Sequence, residues 1–132
     1  MIFIAVALGG ALGAVGRYWL CAYVVPVGAN QFPWGTLFVN VTGCLLIGLL
    51  YSLMGDWAAE KILLTPYWRA FLTTGFLGGL TTFSTFSFEA IVLWQQVNPI
   101  VALIYAISSL IGCLAAVVVG LWLARLFSAY YL

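Results

Sequence analysis

The stretch Gly75-Phe-Leu-Gly-Gly-Leu-Thr-Thr-Phe-Ser-Thr-Phe-Ser-Phe-Glu89 decides how the chain is read. It sits inside a hydrophobic segment long enough to cross a bilayer, yet it makes a poor lipid-facing helix. Three glycines come first, then threonines and serines interleaved with phenylalanines, and a carboxylate closes it. Glycine in a helix interior costs about 1 kcal/mol relative to alanine. A glycine cluster at membrane depth therefore means close packing or a break in the helix. A break frees backbone N–H and C=O groups, which a membrane tolerates only where protein or water satisfies them. The stretch is expected to face a packed interior or a polar cavity, with the rest of the chain as its support.

The composition supports that view. Of 132 residues, 66% are hydrophobic and only 5% charged, against about a quarter charged in a soluble domain. This is the composition of an all-α integral membrane protein in contact with the lipid bilayer. A span needs about 20 residues, so the length fits one domain of four transmembrane helices. The net charge of +1 includes no basic run, which argues against nucleic acid as a partner. Cys21, Cys44 and Cys113 lie in apolar segments and show neither disulfide nor zinc spacing. With no histidine and three acidic residues, the chain offers no conventional metal site or His-based dyad. The N-terminus lacks the basic start of a secretory signal, so the first segment is expected to stay as a span.

Taken in order, the spans are expected at about 1–25, 35–54, 69–94 and 100–127. In the first, Gly9, Gly13 and Gly16 form a small-residue face for another helix. Arg17 lies in the same apolar run, where a charge costs about 2.5–3.5 kcal/mol unless it snorkels or finds water or a partner. It is either a snorkelling residue or a vestibule charge for an anion. Pro26 to Trp34 reads as a turn. In the second span Thr36, Asn40 and Gly43 share one face. Asn40 is either glue between helices or an NH₂ donor for a passing anion. Asp56, Glu60 and Lys61 belong to a solvated connection. The third span holds the glycine cluster, read as close packing or a break. In the fourth, Tyr105, Ser109 and Gly112 share a face, and Gly112, Ala116 and Gly120 make a small-residue stripe. An even number of spans puts both termini on one side, with Lys61, Arg69 and Arg125; that small excess biases orientation only weakly.

The intramembrane polar groups are mostly neutral donors with one fixed positive charge, a set suited to an anion rather than a cation. Phe83 and Phe86 lie three apart on one helical face, and a benzene ring has a positive edge. Ring edges can line an anion path without a charge that would trap the ion; both rings can equally be packing. The hydroxyls can bond back to the preceding turn instead. Glu89 is a proton-coupled site, an anchor for a hydroxyl, or an interfacial charge.

Three motifs together resemble the Fluc family of fluoride channels, also called CrcB-type fluoride exporters. They are Gly9-Gly10-x-x-Gly13-Ala14-x-x-Arg17-Tyr18, Gly35-Thr36-Leu37-x-Val39-Asn40-x-x-Gly43, and the glycine–hydroxyl–phenylalanine stretch ending at Glu89. The resemblance implies an antiparallel, dual-topology homodimer in a bacterial inner membrane, conducting fluoride passively out of the cell. It implies a fluoride path of Phe83, Phe86, Asn40, Thr36, Ser84, Thr85, Tyr105 and Ser109, with Arg17 in the vestibule and Glu89 closing the motif. It further implies a third helix broken at Gly75–Thr82 and a structural Na⁺ on the dimer axis, held by the backbone carbonyls of Gly78 and Thr81 from each subunit.

Two other readings compete. A small dual-topology, proton-coupled multidrug exporter needs a glutamate in the first span, and residues 1–25 contain no acidic residue. A non-transporting membrane assembly subunit predicts spans without facing polar groups. An enzyme is the weakest reading, because no nucleophile–base pair can be assembled.

Overall fold

The computed structural model describes residues 1–24, 32–54 and 65–131. Most of the turn expected at Pro26–Trp34, and the Asp56, Glu60 and Lys61 connection, lie outside the described residues. Among those described, every regular element is a helix. We label the helices α1 (Ile2–Trp19, continued by a π-helical turn, Leu20–Val24), α2 (Trp34–Leu53), α3 (residues 66–80), α4 (Phe83–Val92, continued by a π-helical turn, Leu93–Val97) and α5 (Pro99–Tyr131). Within α3, Pro66–Arg69 and Gly78–Leu80 are α-helical and Ala70–Leu77 is widened to π geometry. Three segments are long and apolar enough to cross a membrane: Ile2–Tyr23, Pro66–Val97 and Pro99–Phe127; α2 is apolar over Trp34–Leu50.

The helices associate as two parallel pairs, each made by glycine. Along α1, Gly9 faces the backbone of Phe71 and Phe76, and Gly13 faces that of Phe76 and Leu80. The contacts climb both helices together, so α1 and α3 run parallel. Gly75 and Gly79 complete the seam: a Cβ on Gly75 would lie 2.8 Å from the Val6 carbonyl oxygen and 3.0 Å from the Gly9 Cα. In the second pair, Gly48 and Gly120 press backbone to backbone, and a Cβ on Gly112 would lie 3.3 Å from Val41. Here too the register rises together, so α2 and α5 are parallel. Lipid tails give little hydrophobic drive for helix association, so close backbone approach supplies van der Waals contact instead.

This seam yields a direct test. Gly13→Ala places a methyl group onto the Phe76 carbonyl, and overpacking of that kind typically costs about 1–3 kcal/mol. At Gly16 the nearest atom to a new Cβ is the Leu80 Cδ1, at 3.9 Å, so Gly16→Ala should be neutral or stabilising. Thermal unfolding in detergent, followed by circular dichroism, should show the first variant melting earlier and the second not. Equal melting of both variants would contradict the seam.

The break in the third span falls at the end of the predicted window. Gly78 remains right-handed helical (φ −63°, ψ −34°). The chain turns extended only at Thr81 (φ −84°, ψ 154°) and Thr82 (φ −150°, ψ 115°). The glycines therefore do not break the helix. Gly75 and Gly79 let α1 approach, and the break is made by the two threonines after them. Helix α4 restarts with Thr82 as its N-cap, whose side chain accepts a hydrogen bond from the Thr85 N–H at 3.2 Å. That cap satisfies one of the N–H groups left open at a helix start. A second sharp turn follows at Asn98, whose Oδ1 accepts the Ile100 N–H at 2.8 Å as α5 begins at Pro99.

Candidate functional site

The helix break is held from outside by α2. Thr36, Asn40 and Gly43, read from sequence as one face, all point at the third span. The Asn40 side chain grips Thr82 twice: its Oδ1 accepts the Thr82 N–H at 2.7 Å, and its Nδ2 donates to the Thr82 carbonyl at 3.1 Å. One turn further along α2, Gly43 leaves room for the Thr81 methyl group, which a Cβ there would strike. Asn40 therefore acts as interhelical glue, satisfying both backbone groups of an extended residue at membrane depth. It spends one amide N–H doing so and keeps the other.

The clamp has a consequence for the preceding carbonyls. In an unbroken helix the Thr82 N–H would bond to the Gly78 carbonyl and the Thr85 N–H to the Thr81 carbonyl. Here the first goes to Asn40 and the second to the Thr82 hydroxyl. Both carbonyls thus lose their regular helical donor, and carbonyl oxygen is the type of ligand that a hard cation such as Na⁺ takes. The residues fit the ion. The Thr81 hydroxyl bonds back to the Leu77 carbonyl at 2.9 Å, so Thr81 offers its carbonyl and not its side chain.

Beside the break lies a groove of about 670 Å³ between α2, the two halves of the third span and α5. Asn40, Thr81, Thr82, Phe83, Phe86 and Ser109 line it, among apolar neighbours. The rings of Phe83 and Phe86 have centroids 5.5 Å apart and are tilted by 45°. Phe83 is 79% exposed, so it stands out from its own chain. Ser109 is 5% exposed, and its hydroxyl is buried without a hydrogen-bond partner among the described residues. A buried hydroxyl left unpaired costs about 1–3 kcal/mol, and such a group asks for an explanation.

A second polar cluster adjoins the groove. Glu89 accepts the Thr36 hydroxyl on Oε1 at 2.8 Å and the Tyr105 hydroxyl on Oε2 at 2.7 Å. Of the three roles open to Glu89 from sequence, this is the geometry of a hydroxyl anchor. Tyr105 is fully buried. Its ring meets Phe86 at 5.3 Å on one side and Phe32 edge-on at 5.4 Å on the other. The Phe86 contact joins the carboxylate cluster to the groove.

The remaining expected residues fall around these two centres. Thr82 gathers Ser84 and Thr85: its hydroxyl lies 3.2 Å from the Ser84 Oγ and bonds the Thr85 hydroxyl at 3.0 Å. Neither Ser84 nor Thr85 lines the groove. Arg17 lies in α1, half-buried. It is in neither cluster, and no carboxylate pairs with it among the described residues. Two residues were missed. Thr82 is the hub of the break, and its signal is an N-cap threonine opening a fresh helical run. Phe32 fell inside a segment read as turn, and nothing local marks it as a support for Tyr105.

Comparison with known proteins adds a family to this geometry. A family model described as CrcB-like protein, Camphor Resistance (CrcB), matches residues 4–121. A "Fluoride-specific ion channel FluC" of Hahella chejuensis is 48% identical over 121 residues, covering 92% of each chain. The protein of the same name from Saccharophagus degradans is 42% identical over 125 residues, covering 95% of this chain and 90% of its own. That of Agrobacterium fabrum is 44% identical over 120 residues, covering 91% and 93%.

Proposed function

The chain belongs to the CrcB-like family, and from that membership we propose that it is a fluoride-selective ion channel of a bacterial inner membrane. The observation that carries the reading at the site is Ser109. Ser109, whose buried hydroxyl has no partner among the described residues, is a wall residue of the same groove as Asn40, Phe83 and Phe86. Fluoride is small and holds its water tightly. A path must replace that shell with several short donors, none strong enough to trap the ion. The spare N–H of Asn40, the Ser109 hydroxyl and the ring edges meet this need without a fixed charge. Thr36 and Tyr105 spend their hydroxyl protons on Glu89, and that cluster braces the path through the Tyr105–Phe86 contact. The sequence carries no nucleotide-binding motif, so flux runs down the gradient, and an inside-negative potential drives fluoride out.

The working unit in this proposal is an antiparallel homodimer of dual topology. One copy leaves Phe83, Ser84, Phe88 and Ile91 of α4 exposed, and a second copy would cover that mixed polar and aromatic face. The Gly78 and Thr81 carbonyls of both copies would hold a sodium ion on the shared axis, supplying positive charge that links the two broken helices.

Efflux from fluoride-loaded proteoliposomes, followed with an ion-selective electrode, tests the function. Fluoride should leave rapidly and chloride should not; equal fluxes would defeat the reading. Tyr105→Phe removes one donor from Glu89. A hydrogen bond to a charged group is worth about 1.5–3 kcal/mol of stability, so the cluster that braces Phe86 should loosen and fluoride efflux should fall. Wild-type flux in that variant would exclude the carboxylate cluster from the path.

A further inference from the structure

Two thiols in the groove have no part in the mechanism above. Cys44 on α2 and Cys113 on α5 both line it. Both are free, and they stand on facing helices of one seam, close enough for the Cys113 thiol to feel the Cys44 thiol. Their approach follows from the backbone. The α2–α5 seam is fixed by the Val41–Gly112 and Gly48–Gly120 contacts, and Cys44 lies between the two α2 positions as Cys113 does between the two on α5.

We infer that Cys44 and Cys113 form a two-thiolate site for a soft metal cation of the Hg²⁺, Ag⁺ or Cu⁺ class, and that an ion held there closes the groove. The donor set selects the ion. Thiolate sulfur is a soft ligand. Among the described residues no third His, Cys, Asp or Glu joins the pair. Zinc sites complete four ligands, and calcium and magnesium take oxygen, whereas these soft ions accept two sulfurs alone. Binding deprotonates both thiols: two S–H bonds break, two metal–sulfur bonds form, and two protons pass to water. With Hg²⁺ the product is neutral, which suits an apolar groove, since an uncompensated charge there is costly.

The claim that the bound ion closes the path rests on the channel reading; the site itself does not. The probe is mercuric chloride, added to the intact purified protein carrying Cys21→Ser. After desalting, this protein should keep one mercury per chain against excess monothiol. Cys44→Ser and Cys113→Ser, each in the same background, should lose it at about 100-fold lower competitor, because a second tethered ligand raises retention by effective concentration. Equal retention in all three proteins would overturn the site. In proteoliposomes, mercury should stop fluoride efflux through the Cys21→Ser protein, with a dithiol restoring it, and leave both single variants running. Retained mercury with unaltered efflux would overturn the closure. If no preparation conducts fluoride even without mercury, the channel reading fails while retention still decides the site.

Discussion

Asn40→Asp is expected to bring fluoride efflux down to the level of empty vesicles. Asn40 presents an acceptor to the Thr82 N–H and a donor to the Thr82 carbonyl. Aspartate keeps the acceptor and replaces the donor with a second anionic oxygen, set 3.1 Å from a carbonyl oxygen in the parent geometry. The charge would also stand in the groove that we assign to an anion. Two like charges about 4 Å apart repel by about 4 kcal/mol at an effective dielectric of about 20, and each 1.4 kcal/mol is a factor of ten. A loss of about 100-fold or more follows, measured as the initial electrode slope at matched protein content. Undiminished flux would remove Asn40 from the path.

Phe83→Ile should abolish fluoride efflux just as fully, while leaving the helical fold of each copy, read by circular dichroism, as in the wild type. Phe83 is 79% exposed in one copy. Within that copy its loss removes little beyond the ring contact with Phe86, and such a pair is worth about 0.5–1.5 kcal/mol. Isoleucine keeps apolar bulk but has no positive ring edge to offer an anion. Phe86→Ile should block flux too, with a larger cost in stability, because Phe86 also packs on Tyr105. The first variant therefore separates ring chemistry from folding. Normal flux in both variants would leave the phenylalanines as packing alone.

The helix packing and the helix break were not equally legible in the sequence. The glycine spacing in α1 and the cluster in the third span both announced close helix packing, and both glycine sets meet in the same seam. The position of the break was less legible. Three glycines invited it, yet Gly78 stays helical and the chain opens at Thr81 and Thr82. Helix propensity speaks for one residue at a time. It could not register that an asparagine 42 positions away takes over the Thr82 backbone. The roles of Asn40 and Glu89 stayed open for the same reason, since each depends on a partner from another helix.

What the sequence determined by itself was the solvent and the local geometry: apolar spans, small-residue faces, and a polar strip where lipid would not tolerate one. Those features rest on composition and on the helical repeat, which act between near neighbours. The tertiary structure decided which donors are already taken and which remain. Asn40 is committed to Thr82, Thr36 and Tyr105 to Glu89, and Ser109 to nothing among the described residues. A hydrogen bond between helices is fixed by their packing in space. No periodicity along one helix encodes its partner on another.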